Sequence, residues 1–316
     1  MSIAFVFPGQ GSQAIGMGKA LADRFSAARA VFEEVDSALG QHLSNIMWNG
    51  PEGELTLTEN AQPALMAVSM AALRVLEAEH GITVANTARF VAGHSLGEYS
   101  ALAAAGTFSI TDTARLLKIR GKAMQAATPV GVGAMAALLG LDFATASAVV
   151  AEAAQGEVCQ AANDNSDGQV VVSGSKAAID RAIEIAKAKG AKRAILLTVS
   201  APFHCALMQP AADAMAKALS EVQMHAPAVP LIANVLASPT SDPAVIRQKL
   251  IEQVTGTVRW RESVGFMAAQ GVKVFVEIGA GKVLTGLAKK NAPEALAMAC
   301  GTPDEIAAVA AQLKQG

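Results

Sequence analysis

The chain has 316 residues, 52% apolar and 16% charged, so it can bury a sizeable core and is not a disordered segment. A net charge of −2 without a basic stripe excludes a general nucleic-acid binder. No apolar run approaches the length of a membrane span, and three scattered cysteines (Cys159, Cys205, Cys300) without a C-x-x-C pair fit a reducing cytoplasm, neither a disulfide framework nor a zinc site.

Taken in chain order, residues 3–7 are a continuous apolar run, expected as a strand buried on both faces. No basic residue precedes it, which reads as a first strand and not a signal peptide. The run ends in Pro8-Gly9-Gln10-Gly11-Ser12-Gln13, a turn that can bring backbone N–H groups close to a ligand. Gly9, Gly11 and Ala14 imitate a dinucleotide fingerprint, but that site needs a second strand ending in an acidic residue about twenty positions on. Residues 18–39 read as helix instead, so a nicotinamide site is excluded. A helix over 64–80, opened by Thr58-Glu59-Asn60-Ala61-Gln62-Pro63, is apolar on every side and belongs deep in the core.

Arg89-Phe90-Val91-Ala92-Gly93-His94-Ser95-Leu96-Gly97-Glu98 is the stretch that carries chemistry. It reads as a short strand, a G-x-S-x-G turn and a small-residue helix over 99–105. Glycines at 93 and 97 permit close strand–helix approach, and the turn lifts the Ser95 hydroxyl to the end of the sheet beside helix N-terminal amides. Ser95 is the candidate nucleophile. A helix over 111–128 follows, carrying Arg115, Lys118, Arg120 and Lys122.

Glycine and proline at 128–133 mark a boundary. Beyond it come a strand (134–139), a helix (143–154), strands near 158–162 and at 169–173, a helix (176–189) and a strand (194–199). The order β-α-β-β-α-β is a ferredoxin-like unit of roughly seventy residues. A small domain is therefore expected over 129–198, inserted into a large domain of 1–128 and 199–316. The large domain continues with a helix (208–222), a strand (231–235), helices (243–254, 261–269) and a buried strand (272–278). Its strand–helix alternation predicts an α/β domain with a mostly parallel sheet. Gly279-Ala280-Gly281-Lys282 is no phosphate loop, because Val276 and Val283 stand where a glycine and a hydroxyl residue belong.

A serine needs a base. Among five histidines, His42 and His80 fall on polar helix faces, His225 lies in a loop, and His94 on the tight turn is expected to pack inside. His204, in Ser200-Ala201-Pro202-Phe203-His204-Cys205, sits in a loop between strand and helix where catalytic groups are held. Residue pattern alone leaves it open between base and capping or core histidine. No acidic residue completes a triad: Glu98 is expected to pack or cap, and a backbone carbonyl can orient the imidazole equally well.

Pro8–Gln13, Gly93–Glu98, Arg120-Gly121-Lys122-Ala123-Met124-Gln125, Ala201–Met208 and Glu277–Leu284 together resemble the malonyl-CoA:acyl-carrier-protein transacylases of bacterial fatty-acid synthesis, in the family's order across nearly the whole chain. The resemblance implies an α/β-hydrolase-like core with an inserted ferredoxin-like subdomain. It implies Ser95 as nucleophile, His204 as its base, the amides of Gln10 and Leu96 as oxyanion hole, and Arg120 as the group that binds the malonyl carboxylate. Gln253 would offer its backbone carbonyl to the histidine, and Asn163 and Asn165 match an asparagine pair facing the cleft, with their role open. It further implies a cytoplasmic, monomeric enzyme without cofactor or metal, whose partners are malonyl-CoA and acyl carrier protein, with no nucleic acid and no membrane. Basic residues at 187, 189, 192, 193, 289 and 290 are the candidate rim for an acidic carrier. The serine turn alone also fits a thioesterase; a catalytically silent docking module, the malonyl transferase of malonate decarboxylase and a polyketide loading enzyme are the other readings.

Overall fold

Strands and helices alternate along the chain, and in this computed structural model, which describes residues 2–314, the strands sort into two sheets. In chain order they are β1 (Ile3–Phe7), β2 (Phe90–Gly93), β3 (Gly133–Leu139), β4 (Cys159–Ser166), β5 (Gln169–Ser175), β6 (Arg193–Leu196), β7 (Leu231–Ile232), β8 (Pro239–Thr240), β9 (Val274–Ile278) and β10 (Leu296–Cys300). The larger sheet has the order β10-β9-β1-β2-β7-β8 and is parallel except for the β7–β8 pair. The smaller has the order β4-β5-β3-β6 and is antiparallel throughout.

The apolar run of β1 is buried on both faces, as a parallel strand covered by helices requires. Phe5 and Phe7 join the core with helices Ser26–Leu39, Thr58–His80 and Ile110–Ala126, while Ala4 and Val6 face a second core with Trp260, Val264 and Leu284. Register pairs Phe7 with Gly93, so the turns after β1 and β2 leave the same carboxyl edge side by side. That edge is where an open parallel sheet holds its ligands.

The small sheet is covered on one face only by its own helices, Phe143–Ala154 and Lys176–Ala188, against Ala136, Leu138, Val170 and Val172. The alternating residues Met135 and Val171, with Leu197 after β6, line the cleft instead. The bare face of the small sheet thus roofs the carboxyl edge of the large one. Strand β4 is tied to the large sheet's side by a bridge between Asn163 and Val258 and by an Asp164–Arg261 ion pair at 2.8 Å.

Several local expectations change. The helix expected over 18–39 is two helices, Lys19–Arg24 and Ser26–Leu39, because Phe25 is extended and the Arg29 guanidinium takes the freed Ala22 carbonyl at 3.0 Å. The strand expected at 158–162 runs to Ser166, which carries Asn163 and Asn165 into β4. Helices Leu43–Asn49, Glu52–Thr56 and Pro303–Lys314 and strand β10 have no counterpart in the sequence reading. Among the described residues no helix is long and apolar enough to cross a membrane.

Candidate active site

Two glycines dictate how Ser95 is presented. A methyl group on Gly93 would lie 1.8 Å from the Gly97 carbonyl oxygen, and one on Gly97 would lie 2.2 Å from that of Phe7. Only glycine lets helix Gly97–Ala104 start this close to β1 and β2. Ser95 itself is left-handed, φ 54, a conformation that costs a non-glycine residue about 1–2 kcal/mol and must be held by its surroundings. Asn234, just past β7, holds it: its Oδ1 accepts from Ser95 N at 2.8 Å and its Nδ2 donates to the Gly93 carbonyl at 2.7 Å.

The Ser95 hydroxyl lies 2.8 Å from His204 Nε2, and His204 Nδ1 lies 2.8 Å from the main-chain carbonyl of Gln253. A carbonyl only accepts, so Nδ1 carries the hydrogen and Nε2 turns its lone pair to the serine. His204 is 4% exposed; burial first, and the nearby Arg120 charge second, push its pKa down to about 3. The ring is therefore neutral at pH 7, the form able to take a proton.

Arg120 projects from helix Ile110–Ala126 and is 1% exposed. Its Nη1 donates to Gln62 Oε1 at 2.7 Å, and its Nη2 to Gln253 Oε1 at 2.9 Å and to Ser95 Oγ at 3.1 Å. The hydroxyl thus accepts from a cation and donates to a base. The guanidinium carbon also stands 5.6 Å from the centroid of the Tyr99 ring. Burial lowers the Arg120 pKa, offset in part by Tyr99 and Glu98.

The main-chain amide of Leu96 sits at the N-terminus of helix Gly97–Ala104, and that of Gln10 in the turn after β1; among the described residues neither donates to a protein acceptor. The Gln10 side chain is held by Thr58 at 3.1 Å. Together with Ser95 these turns floor a cleft of about 360 Å³ whose walls include Met135, Val171, Leu284 and Leu287.

Asn163 and Asn165 also line the cleft. His94, expected inside, is half-buried on the cleft floor: the tight turn sends it sideways, where its Nε2 meets Asn165 Oδ1 at 2.8 Å and its ring tilts against Trp260. Burial lowers its pKa. Gln62, Glu98 and Asn234 are the buried polar residues that sequence reading did not single out for the site. A signal existed for two of them: Gln62 is a polar residue leading directly into the apolar stretch of its helix, and Asn234 follows the end of a parallel strand. Among the described residues no group of three or more His, Cys, Asp or Glu is placed to hold a metal ion.

A strained serine at the carboxyl edge of a parallel sheet, bonded to a neutral buried histidine, defines the class of enzymes that pass acyl groups through a serine ester. The chain belongs to the acyl transferase domain family, whose model matches residues 4–310. It is 46% identical over 305 residues to the malonyl CoA-acyl carrier protein transacylase of Escherichia coli (strain K12), covering 96% of this chain and 97% of that protein. Among solved structures it resembles an acyl-carrier-protein-S-malonyltransferase from Bartonella henselae, with a TM-score of 0.97, 59% identity and coverage of 99% and 100%. It also resembles a malonyl-transacylase solved in complex with a type II PKS acyl-carrier protein, with a TM-score of 0.95, 42% identity and coverage of 99% and 100%.

Proposed function

We propose that the protein is an [acyl-carrier-protein] S-malonyltransferase of fatty-acid synthesis, moving malonyl from CoA to the pantetheine thiol of acyl carrier protein through a malonyl-Ser95 ester. The observation that carries this reading is the buried cation on the nucleophile, Arg120 Nη2 to Ser95 Oγ at 3.1 Å. A fixed guanidinium there favours an acyl group that ends in a carboxylate.

In the first half-reaction His204 Nε2 takes the Ser95 proton as Oγ attacks the thioester carbon. The amides of Gln10 and Leu96 receive the oxyanion, and the Gln253 carbonyl steadies the imidazolium through Nδ1. The carbon–sulfur bond breaks and His204 returns the proton to the CoA sulfur. In the second half-reaction the carrier's thiol gives its proton to His204, attacks the ester and releases Ser95. Arg120 holds the malonyl carboxylate throughout, and Asn163 and Asn165 face the arm that carries the thioester. No cofactor is required; the pantetheine arm belongs to the carrier.

The order β4-β5-β3-β6 and its two covering helices support reading residues 129–198 as a ferredoxin-like domain inserted into an α/β-hydrolase-like one of 1–128 and 199–316. The reading includes a cytoplasmic monomer. Similarity to a transacylase solved with a polyketide carrier protein favours a polyketide pathway as the second reading.

Purified protein incubated with malonyl-CoA should gain the mass of one malonyl group on the peptide containing Ser95 and lose it on addition of holo-carrier protein. Free malonate released as fast as CoA in the presence of carrier would instead mark a thioesterase. Rates with fatty-acid and polyketide carriers, side by side, separate the two pathway readings.

The carrier is expected to dock on basic residues beside the cleft mouth. Lys187 and Lys189 already face Glu184 and Glu152, whereas Lys192, Arg193, Lys289 and Lys290 are exposed without a carboxylate partner among the described residues. Charge reversal at all four should raise the carrier's KM roughly tenfold and flatten its salt dependence. An unchanged KM and salt slope would place the carrier elsewhere.

A further inference from the structure

Glu98 lies one turn beyond Ser95 and is 1% exposed. Its Oε2 accepts from Asn234 N at 3.1 Å and from Gln253 Nε2 at 2.9 Å, while its Oε1 has no partner among the described residues. The nearest buried cation is Arg120, yet the two do not touch. Gln253 stands between them, its Oε1 on Arg120 and its Nε2 on Glu98, both at 2.9 Å. A direct carboxylate–guanidinium pair would occupy the arginine's two-pronged face permanently. An uncharged amide as spacer leaves the guanidinium without a carboxylate partner, its Nε unbonded among the described residues, and still keeps one negative charge close enough to offset the cation's burial.

We propose that Glu98 is a positioning residue, the internal counter-charge of Arg120, and that it takes up a proton from solvent when the carboxylate of an incoming acyl group docks on the guanidinium. This rests on the malonyl reading given above. In the empty cleft one buried cation faces one buried anion. A malonyl group brings a second anion to the same arginine, and protonation of the unpartnered Oε1 restores the balance.

Glu98 is poised for this near neutral pH: burial pushes its pKa up to about 7, against the hydrogen bonds from Gln253 and Asn234 and the charge of Arg120. The titratable neighbours are few. Helix Ile110–Ala126 presents Arg120, and the helix of Glu98 itself presents Tyr99, whose pKa is raised by burial. His204 stands beyond Gln253, on its main-chain carbonyl, and the charged residues of the helix that carries Gln253, Pro243–Thr255 (Arg247, Lys249 and Glu252), are at least partly exposed. Strands β1 and β2 carry no titratable side chain, and the charged residues of helix Thr58–His80 (Glu59, Arg74, Glu77, Glu79 and His80) are all at least partly exposed.

The test is the ratio of kcat/KM for malonyl-CoA to that for acetyl-CoA, measured from about pH 6 to 8.5 on wild type, Glu98→Gln and Glu98→Asp. Titration of His204 and of the CoA nucleotide acts on both thioesters and cancels in the ratio. With Glu98 protonated Arg120 stands uncompensated and favours malonyl; with Glu98 ionised a second anion is penalised. The wild-type ratio should therefore fall roughly tenfold as pH rises through the window, the equivalent of one pKa unit of interaction. Glu98→Gln should hold the acid-side ratio at every pH, and Glu98→Asp should keep the fall. An indicator dye in weak buffer near pH 7 should report proton uptake on malonylation of the wild type and none with Glu98→Gln, since ester formation with release of CoA thiol leaves the proton count unchanged.

A flat wild-type ratio, a Glu98→Gln profile that falls like wild type, or malonyl labelling without proton uptake overturns the role of Glu98 and leaves the transferase reading standing. Absence of any malonyl label on wild-type Ser95 overturns the transferase reading and this inference with it.

Discussion

Arg120→Ala is expected to lose malonyl transfer by roughly a hundred- to several-thousand-fold, the rate equivalent of about 3–5 kcal/mol for removing one member of a buried charge pair. The guanidinium is 1% exposed and fixed by Gln62 and Gln253, so no solvent cation can take its place. Acetyl brings no charge and leaves the arginine unpaired. The variant should therefore keep or improve its acetyl-CoA activity, narrowing or inverting the preference. Arg120→Lys should recover part of the malonyl rate, because an ammonium makes no two-pronged contact. Measuring kcat/KM for both thioesters on the three proteins decides the matter. Equal losses for malonyl and acetyl would assign Arg120 to the fold and the selectivity to another residue.

Loss of the nucleophile or base should be larger still. Ser95→Ala should abolish covalent labelling by malonyl-CoA, and His204→Ala should slow acylation by several orders of magnitude, with a residual rate from the oxyanion amides. Because burial holds His204 neutral well below its ordinary range, the wild-type acylation rate should show no acid limb near pH 6.5, where an exposed histidine would protonate. Label retained by Ser95→Ala, in peptide mass spectrometry, would mean a different nucleophile. An acid limb at 6.5 that vanishes with His204→Ala would mean that the base is less buried than its surroundings dictate.

The parts of this site legible in the sequence are those governed by local sterics. A side chain on Gly93 would strike Gly97 in the same turn, so the serine turn could be read from ten residues. The two-sided apolar run of β1 and the succession of strands and helices from β3 to β6 were legible for the same reason, because period and composition are local. Arg120 was legible only through the family resemblance, since a helix arginine has no local mark of function, and His204, singled out by its loop, stayed open between base and capping or core histidine until the resemblance was drawn. The junction of Gln253, Asn234 and Glu98 was not legible, except for the Gln253 carbonyl. It joins residues 19 to 155 positions apart, and nothing short of the folded chain brings them together. Strand β10 was missed because Leu-Ala-Met-Ala-Cys offers mostly small side chains, too weak an alternation to separate from the surrounding alanine-rich segment.

The roof formed by the bare face of the small sheet divides the labour of the molecule. Gln10, Ser95, Arg120, His204 and Gln253 all belong to segments outside the small sheet, while Met135, Val171, Asn163 and Asn165 belong to it. The bond-making groups are thereby set apart from the part of the fit that the roof supplies. Drift on the roof can re-tailor the enzyme to a bulkier arm or a new carrier without disturbing a proton's path, whereas drift on the floor risks the chemistry itself. The fold thus offers a lineage two separate dials, one for whom the enzyme serves and one for what it does.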